Sequence, residues 1–164
     1  MNNLAIECQC ETFSDGRSRA DQRIIIDGLD IAPNITCDLS ELTRSLSEEG
    51  SNFAIFTCGC GTPECAYIAQ RVQVRHSQDK ISWTLRLPVF YWSPGQSQLL
   101  NLDEQYDAWV RESSIAEYVF FRSQIAAELK ETLAWLLNET PTNTTFAPYG
   151  TEREILQTLA DTVP

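Results

Sequence analysis

Basic side chains are scarce in this chain of 164 residues: twelve Lys and Arg stand against 23 Asp and Glu, for a formal net charge of −11. That balance repels phosphate backbones and acidic bilayer surfaces at long range, so neither nucleic acid nor a membrane is an expected partner. Long apolar runs are also missing, and nothing approaches the roughly 18 residues a membrane-spanning helix needs. The opening Met1-Asn2-Asn3-Leu4 lacks a basic segment followed by an apolar stretch, which leads us to expect a cytoplasmic protein. The Asn-x-Thr triplets at Asn34, Asn138 and Asn143 then read as turn and cap residues. Histidine occurs once, as His76, and that leaves little material for acid-base catalysis. There is no Gly-x-Ser-x-Gly, His-Glu-x-x-His or Asp-x-Asp-x-Asp-Gly pattern, so the most recognisable hydrolases, zinc proteases and calcium loops drop out. Gly59-x-Gly61 has no lysine after it and is not a phosphate loop.

What is present is cysteine. Three of the six fall within Thr57-Cys58-Gly59-Cys60-Gly61-Thr62-Pro63-Glu64-Cys65. This length is enough to bury a core without cross-links, so the thiols are optional for folding, and in a reducing compartment they are free thiols or ligands before they are structural disulfides. Four readings stay open. The cysteines can be small buried hydrophobes at a tight turn, a metal site, a disulfide or redox pair, or a nucleophile. A tetrahedral zinc site needs a fourth ligand beyond Cys58, Cys60 and Cys65; His76 is the candidate, with Cys8, Cys10 and Cys37 as alternatives. Zinc is therefore the cofactor to test. His76 also reads as a hairpin-end residue covering Ile81.

The charge is uneven: residues 1 to 50 carry −6, residues 51 to 100 carry +2, and residues 101 to 164 carry −7. The cysteine segment thus lies in the one non-acidic third. An acidic surface is suited to solubility and to docking a basic protein partner.

Patterning predicts a single α+β domain over residues 1 to 164, mainly an antiparallel sheet with a C-terminal amphipathic helix packed on one face. Strands are expected at Leu4 to Phe13, Arg23 to Asp27, Phe53 to Cys58 and Ala116 to Phe121. Asp38 or Ser40 caps a short helix over Leu39, Leu42 and Leu46, stopped by Gly50. The clearest element is a hairpin from Arg71 to Leu87, in which Val72 faces Leu85, Val74 faces Trp83 and His76 faces Ile81 around a tight loop at Gln78-Asp79. Its other face carries Gln73, Arg75, Ser82, Thr84 and Arg86. Phe90, Tyr91 and Trp92 form an aromatic loop, a hot-spot type of patch if it is exposed. Leu99 to Ser114 is mixed in character. Ser123 is expected to cap a helix over Ile125, Leu129, Leu133, Leu136 and Leu137; Pro141 to Thr145 reads as a loop; Thr151-x-x-Glu154 reads as a capping box for a last helix over Ile155, Leu156 and Leu159.

Phe56-Thr57-Cys58-Gly59-Cys60-Gly61-x-x-x-Cys65, followed by Val72-x-Val74-x-His76 and Ile81-x-Trp83, resembles a group of uncharacterised bacterial proteins in which a Thr-Cys-x-Cys-Gly-x-x-x-Cys turn precedes a hairpin of this kind. Tyr118-x-Phe120-x-Arg122-x-Gln124 is similar to that group as well. The resemblance implies a small α+β domain in a bacterial cytoplasm and, by analogy of fold, an accessory or immunity-like role; it implies no reaction. Cys8, Cys10 and Cys37 lie outside its pattern. Without an acid-base constellation, the sequence favours a non-catalytic protein-interaction domain, with Arg75, Arg86, Phe90, Tyr91 and Trp92 as its contact residues. The alternative is a small zinc-binding or thiol-dependent redox protein centred on Cys58, Cys60 and Cys65.

Overall fold

A computed structural model of the chain describes residues 1–66, 68, 70–89, 102–148 and 151–164. It shows the expected α+β architecture. β1 (Leu4–Thr12) and β2 (Ser18–Ile26) form a nine-pair antiparallel hairpin from Leu4↔Ile26 to Thr12↔Ser18. Along β2 every second residue is buried, Ser18, Ala20, Gln22, Ile24 and Ile26, as a sheet with one core face requires. The strand is longer than Arg23 to Asp27 because its first half is held by pairing with β1, although Ser18-Arg19-Ala20-Asp21 carries little β propensity. Among the described residues, the far edge of β2 is paired with other strands at its two ends. β3 (Leu29–Asp30) folds back on Ile25 and Ile26 through Asp27 and Gly28, both at positive φ.

β4 (Thr36–Cys37) leads into α1 (Leu39–Ser45). Asp38 is the N-cap, its carboxylate accepting hydrogen bonds from the Ser40 and Glu41 N–H groups at 2.9 and 3.1 Å. The helix ends at Leu46, short of Gly50, which instead opens the next strand. The single strand expected over Phe53 to Cys58 is in fact two in different sheets: β5 (Gly50–Phe53) pairs with β7 (Val72–Ser77), and β6 (Phe56–Thr57) pairs with β4. The break has a local cause. The Ala54 N–H is taken by the Glu41 carboxylate at 2.8 Å and so leaves the first ladder, while the Ile55 carbonyl accepts from the Asp38 N–H at 2.9 Å, in register with the β4–β6 pairing.

β7 (Val72–Ser77) and β8 (Lys80–Leu87) pair in the expected register, with Val74 opposite Trp83 and His76 opposite Ile81. Val72, Val74, Ile81, Trp83 and Leu85 are all buried. α2 (Leu102–Glu112) occupies most of the stretch that reads as mixed; Trp109 is its anchor, donating from Nε1 to the Pro88 carbonyl at 2.7 Å. β9 (Ser114–Phe121) then completes a four-stranded sheet of order β5-β7-β8-β9.

α3 (Arg122–Asn138) follows β9 without a side-chain cap: Phe121, not Ser123, holds the N-cap position, and the Arg122 N–H is satisfied by the Asp79 carbonyl at 2.7 Å. Its buried stripe is Ile125, Leu129, Leu133 and Leu136, with Leu137 half-buried. This face packs over β1 and β9 and so joins the two large sheets. The segment read as a loop holds β10 (Thr144–Phe146), a short strand parallel to β2 at Ser18 to Ala20. α4 (Arg153–Thr162) has Glu152 as N-cap and no capping box at Thr151. In its place Arg153 reaches back to the end of α3, donating to the Thr140 and Pro141 carbonyls, a cation where the helix dipole leaves carbonyls unpaired. Leu156 is the buried residue of α4, whereas Ile155 is exposed.

No helix among the described residues is long and apolar enough to cross a membrane.

Candidate functional site

Thr57, wholly buried at the end of β6, delivers the chain from the core into the cysteine turn. The Gly61 N–H donates to the Cys58 carbonyl at 2.9 Å, closing a four-residue turn, and the following Pro63–Ala66 stretch is one short 3-10 turn with the Cys65 N–H on the Thr62 carbonyl at 3.1 Å. Two consecutive tight turns fold Cys65 back over Cys58 and Cys60. Gly61 makes this geometry accessible: its φ is +81°, a region that side chains rarely adopt, and a Cβ there would stand 3.1 Å from the Cβ of Pro148. Only Ala147 separates Pro148 from the end of β10, so the turn leans on the segment that pairs with β2.

The result is a group of three sulfurs. Cys58, Cys60 and Cys65 place their ligand atoms within 4.8 Å of one another, and this group could hold a metal ion. Cys58 and Cys60 are joined as a disulfide, while Cys65 is a free, exposed thiol. The Cys60 N–H points at the Cys58 sulfur at 3.2 Å, an arrangement that favours negative charge on that sulfur once the bond opens.

His76 is not a member of this group. Its ring Nε2 lies 2.8 Å from the Ser45 carbonyl and its backbone N–H donates to Glu49 at 2.5 Å, so it ties the hairpin to the end of α1. The other cysteines are separate too. Burial pushes the half-buried Cys8 thiol up to about 12. Cys37 is fully buried, and its thiol is raised well above the ordinary range by that burial first and by neighbouring Asp38 and Cys8 second. Both stay protonated near neutrality and belong with the core. Cys10 is exposed on β1.

Arg75 and Arg86 lie on the outward face of the hairpin, Arg75 opposite Ser82 and Arg86 opposite Ile115. Four residues of β8 separate Ser82 from Arg86, about 13 Å at strand rise, so the two guanidinium groups do not form one contiguous cationic spot. Arg75 is exposed, and Arg86 donates to the Ser113 hydroxyl at 3.2 Å. Phe90, Tyr91 and Trp92 lie outside the described residues.

One feature of the site is invisible in the spacing of the cysteines. β10 covers the outer edge of β2 at Ser18 to Ala20 and β3 covers it at Ile25 and Ile26. Between them the edge is bridged by the start of β4, where the Thr36 hydroxyl donates to the Gln22 carbonyl at 3.2 Å. A cleft of about 210 Å³ remains there, lined by Arg19, Asp21, Arg23 and Asn34 and closed on one side by Gly59 from the cysteine turn. Arg19 is paired with Asp21 at 2.7 Å. Arg23 donates to the Gln9 side-chain carbonyl at 3.2 Å and has no carboxylate within salt-bridge distance among the described residues. The alternation Arg19-x-Asp21-x-Arg23 on one strand face is the sequence signal for this cleft, and it becomes readable only once β2 is known to begin at Ser18.

No family model, curated protein or solved structure matches this chain. Its function has to be argued from this geometry.

Proposed function

We propose that the chain is a thiol–disulfide protein whose reactive centre is Cys58, Cys60 and Cys65. One observation carries the reading: a bonded pair and a free, exposed thiol share a space of 4.8 Å on a turn seated against Pro148. Exchange proceeds by attack of a thiolate on one sulfur of a disulfide, with the other leaving as thiolate. Cys60 is exposed and Cys58 half-buried, so an incoming thiolate meets Cys60 first. Cys58 then leaves as the thiolate that the Cys60 N–H stabilises. Cys65 supplies a third sulfur that can take over either partner.

Counting thiols before and after reduction under denaturing conditions tests this. The expected gain is two per chain, both located at Cys58 and Cys60 by mass spectrometry. Six free thiols in protein isolated and handled in air would sink the reading.

The three-sulfur donor set supports a second reading for the reduced form, a soft-metal site with zinc as the first ion to try. Zn–S bonds near 2.3 Å hold sulfurs about 4 Å from one another, so Cys58 and Cys60 would part once their bond is reduced and Cys65 would draw in by less than about 1 Å. The fourth position would fall to water or a partner. Elemental analysis of reduced, zinc-loaded protein after desalting decides it, and less than about 0.2 zinc per chain removes it. Protein interaction through Arg75, Arg86 and the acidic surface rests on charge alone. Salt-sensitive capture of a basic protein is its test.

A further inference from the structure

We infer that the cleft between β3 and β10 docks the carboxylate of a small thiol, and that this thiol is the reductant of the Cys58–Cys60 disulfide. The inference rests on the thiol–disulfide reading for its chemistry and on the cleft for its specificity. Three observations support it. The cleft shares a wall with the disulfide, because Gly59 lines it and is the residue between the two bonded cysteines. It presents two guanidinium groups, Arg19 and Arg23, and although Glu7 stands opposite Arg23 across the ladder the two form no ion pair. Asp21 already holds Arg19, so Arg23, whose partner is the neutral Gln9, is the guanidinium with charge to offer a new anion.

Size narrows the ligand further. A volume of about 210 Å³ is below the ~300–1,000 Å³ of pockets that enclose a whole cofactor. It suits the acidic end of a small molecule whose thiol lies over the turn. The reaction balances without another component. A thiolate RS⁻ attacks the Cys60 sulfur, forming RS–S–Cys60 and releasing the Cys58 thiolate. A second RS⁻ attacks the RS sulfur of that mixed disulfide, releasing the Cys60 thiolate and RSSR. Two thiols are oxidised, one disulfide is reduced, and the two protons of the thiols end on Cys58 and Cys60.

The experiment compares opening of the disulfide in the full chain by glutathione, 2-mercaptoethanol and cysteamine at pH 7, each rate divided by the thiolate concentration. Glutathione should lead cysteamine by about tenfold, since a charge-assisted hydrogen bond contributes about that factor, and 1 M salt should erase the lead. Arg23→Gln should collapse the ratio towards one, while Arg75→Gln, on a different sheet, should leave it unchanged. Equal rates for the three thiols in the wild-type chain, or an intact lead in Arg23→Gln, overturn the cleft while leaving the redox centre standing. If no thiol opens the bond, the redox reading itself fails. A separate titration with S-methylglutathione needs no disulfide: it should shift the amide resonances of Gly59 and Arg23, and a titration that moves neither overturns the cleft on its own.

Discussion

Replacing Gly61 with alanine isolates what holds the cysteine turn in place, because the fold supplies its own control. Gly61 and Gly16 have the same φ of +81°, yet a Cβ at Gly16 meets nothing within 4 Å, whereas at Gly61 it meets the Cβ of Pro148 at 3.1 Å. A side chain in the left-handed region costs about 1–2 kcal/mol, and the loss of unfolded-state freedom returns about 0.4–1 kcal/mol; both apply equally to the two sites. Gly16→Ala should therefore cost about 0.5–1 kcal/mol. Gly61→Ala adds the contact. Carbon pairs are most comfortable at about 3.5–4.0 Å, so Pro148 must retreat by several tenths of an ångström, at the low end of the ~1–3 kcal/mol seen for overpacking. The total is about 2 kcal/mol. At about 2–4 °C per kcal/mol for a chain of this size, the melting temperature should fall by about 4–8 °C for Gly61→Ala and by about 1–4 °C for Gly16→Ala. Thermal unfolding followed by circular dichroism under identical conditions reads both. Equal losses in the two variants would refute the claim that the turn is seated against Pro148, whatever their absolute size.

Two further expectations follow from charge and burial. Burial, the largest single influence on the Glu41 carboxyl, pushes its pKa up, but hydrogen bonds from Arg44 and the Ala54 N–H and the charge of Arg44 outweigh it and hold the group below its ordinary 4.5. Its contribution is complete above that value and lost as pH falls through the lower folded value, so Glu41→Gln should cost about 1 kcal/mol at pH 7, discounted for solvent screening, and should flatten the acid limb of the stability curve below pH 4.5; an unchanged acid limb contradicts this. Iodoacetamide applied to the native, oxidised chain at pH 8 should label Cys10 and Cys65 readily, lag at Cys8 and spare Cys37, as peptide mapping would show. Labelling of Cys37 at the rate of Cys65 would be inconsistent with its burial.

The β7–β8 hairpin was legible in register because buried and outward residues alternate along both strands and buried Val74 faces buried Trp83 across the ladder. The α3 stripe was legible for the corresponding helical reason, and the Asp38 cap because its carboxylate acts on the next three residues. What escaped was structure whose cause lies far along the chain. β10 is three residues of threonine and phenylalanine that become a strand only because β2 offers an edge more than a hundred residues earlier. Phe53 to Cys58 splits because the carboxylate of Glu41 takes the Ala54 N–H. α2 buries little beyond Gln105 and Trp109, so its pattern is faint. The site divides in the same way. Cys58, Cys60 and Cys65 are close in sequence and close in space, whereas the arginine cleft needs β2, the loop before β4 and the cysteine turn to converge.

The seating of Gly61 against Pro148 also sets an order of events for a nascent chain. β10 and Pro148 are made long after the cysteine turn, and until they emerge the edge of β2 at Ser18 to Ala20 lacks this partner and the turn lacks its neighbour at Gly61. The local turn hydrogen bond between Gly61 and Cys58 can form early, whereas its tertiary support waits for the segment around Pro148. The three thiols therefore spend the interval between in an unbraced turn.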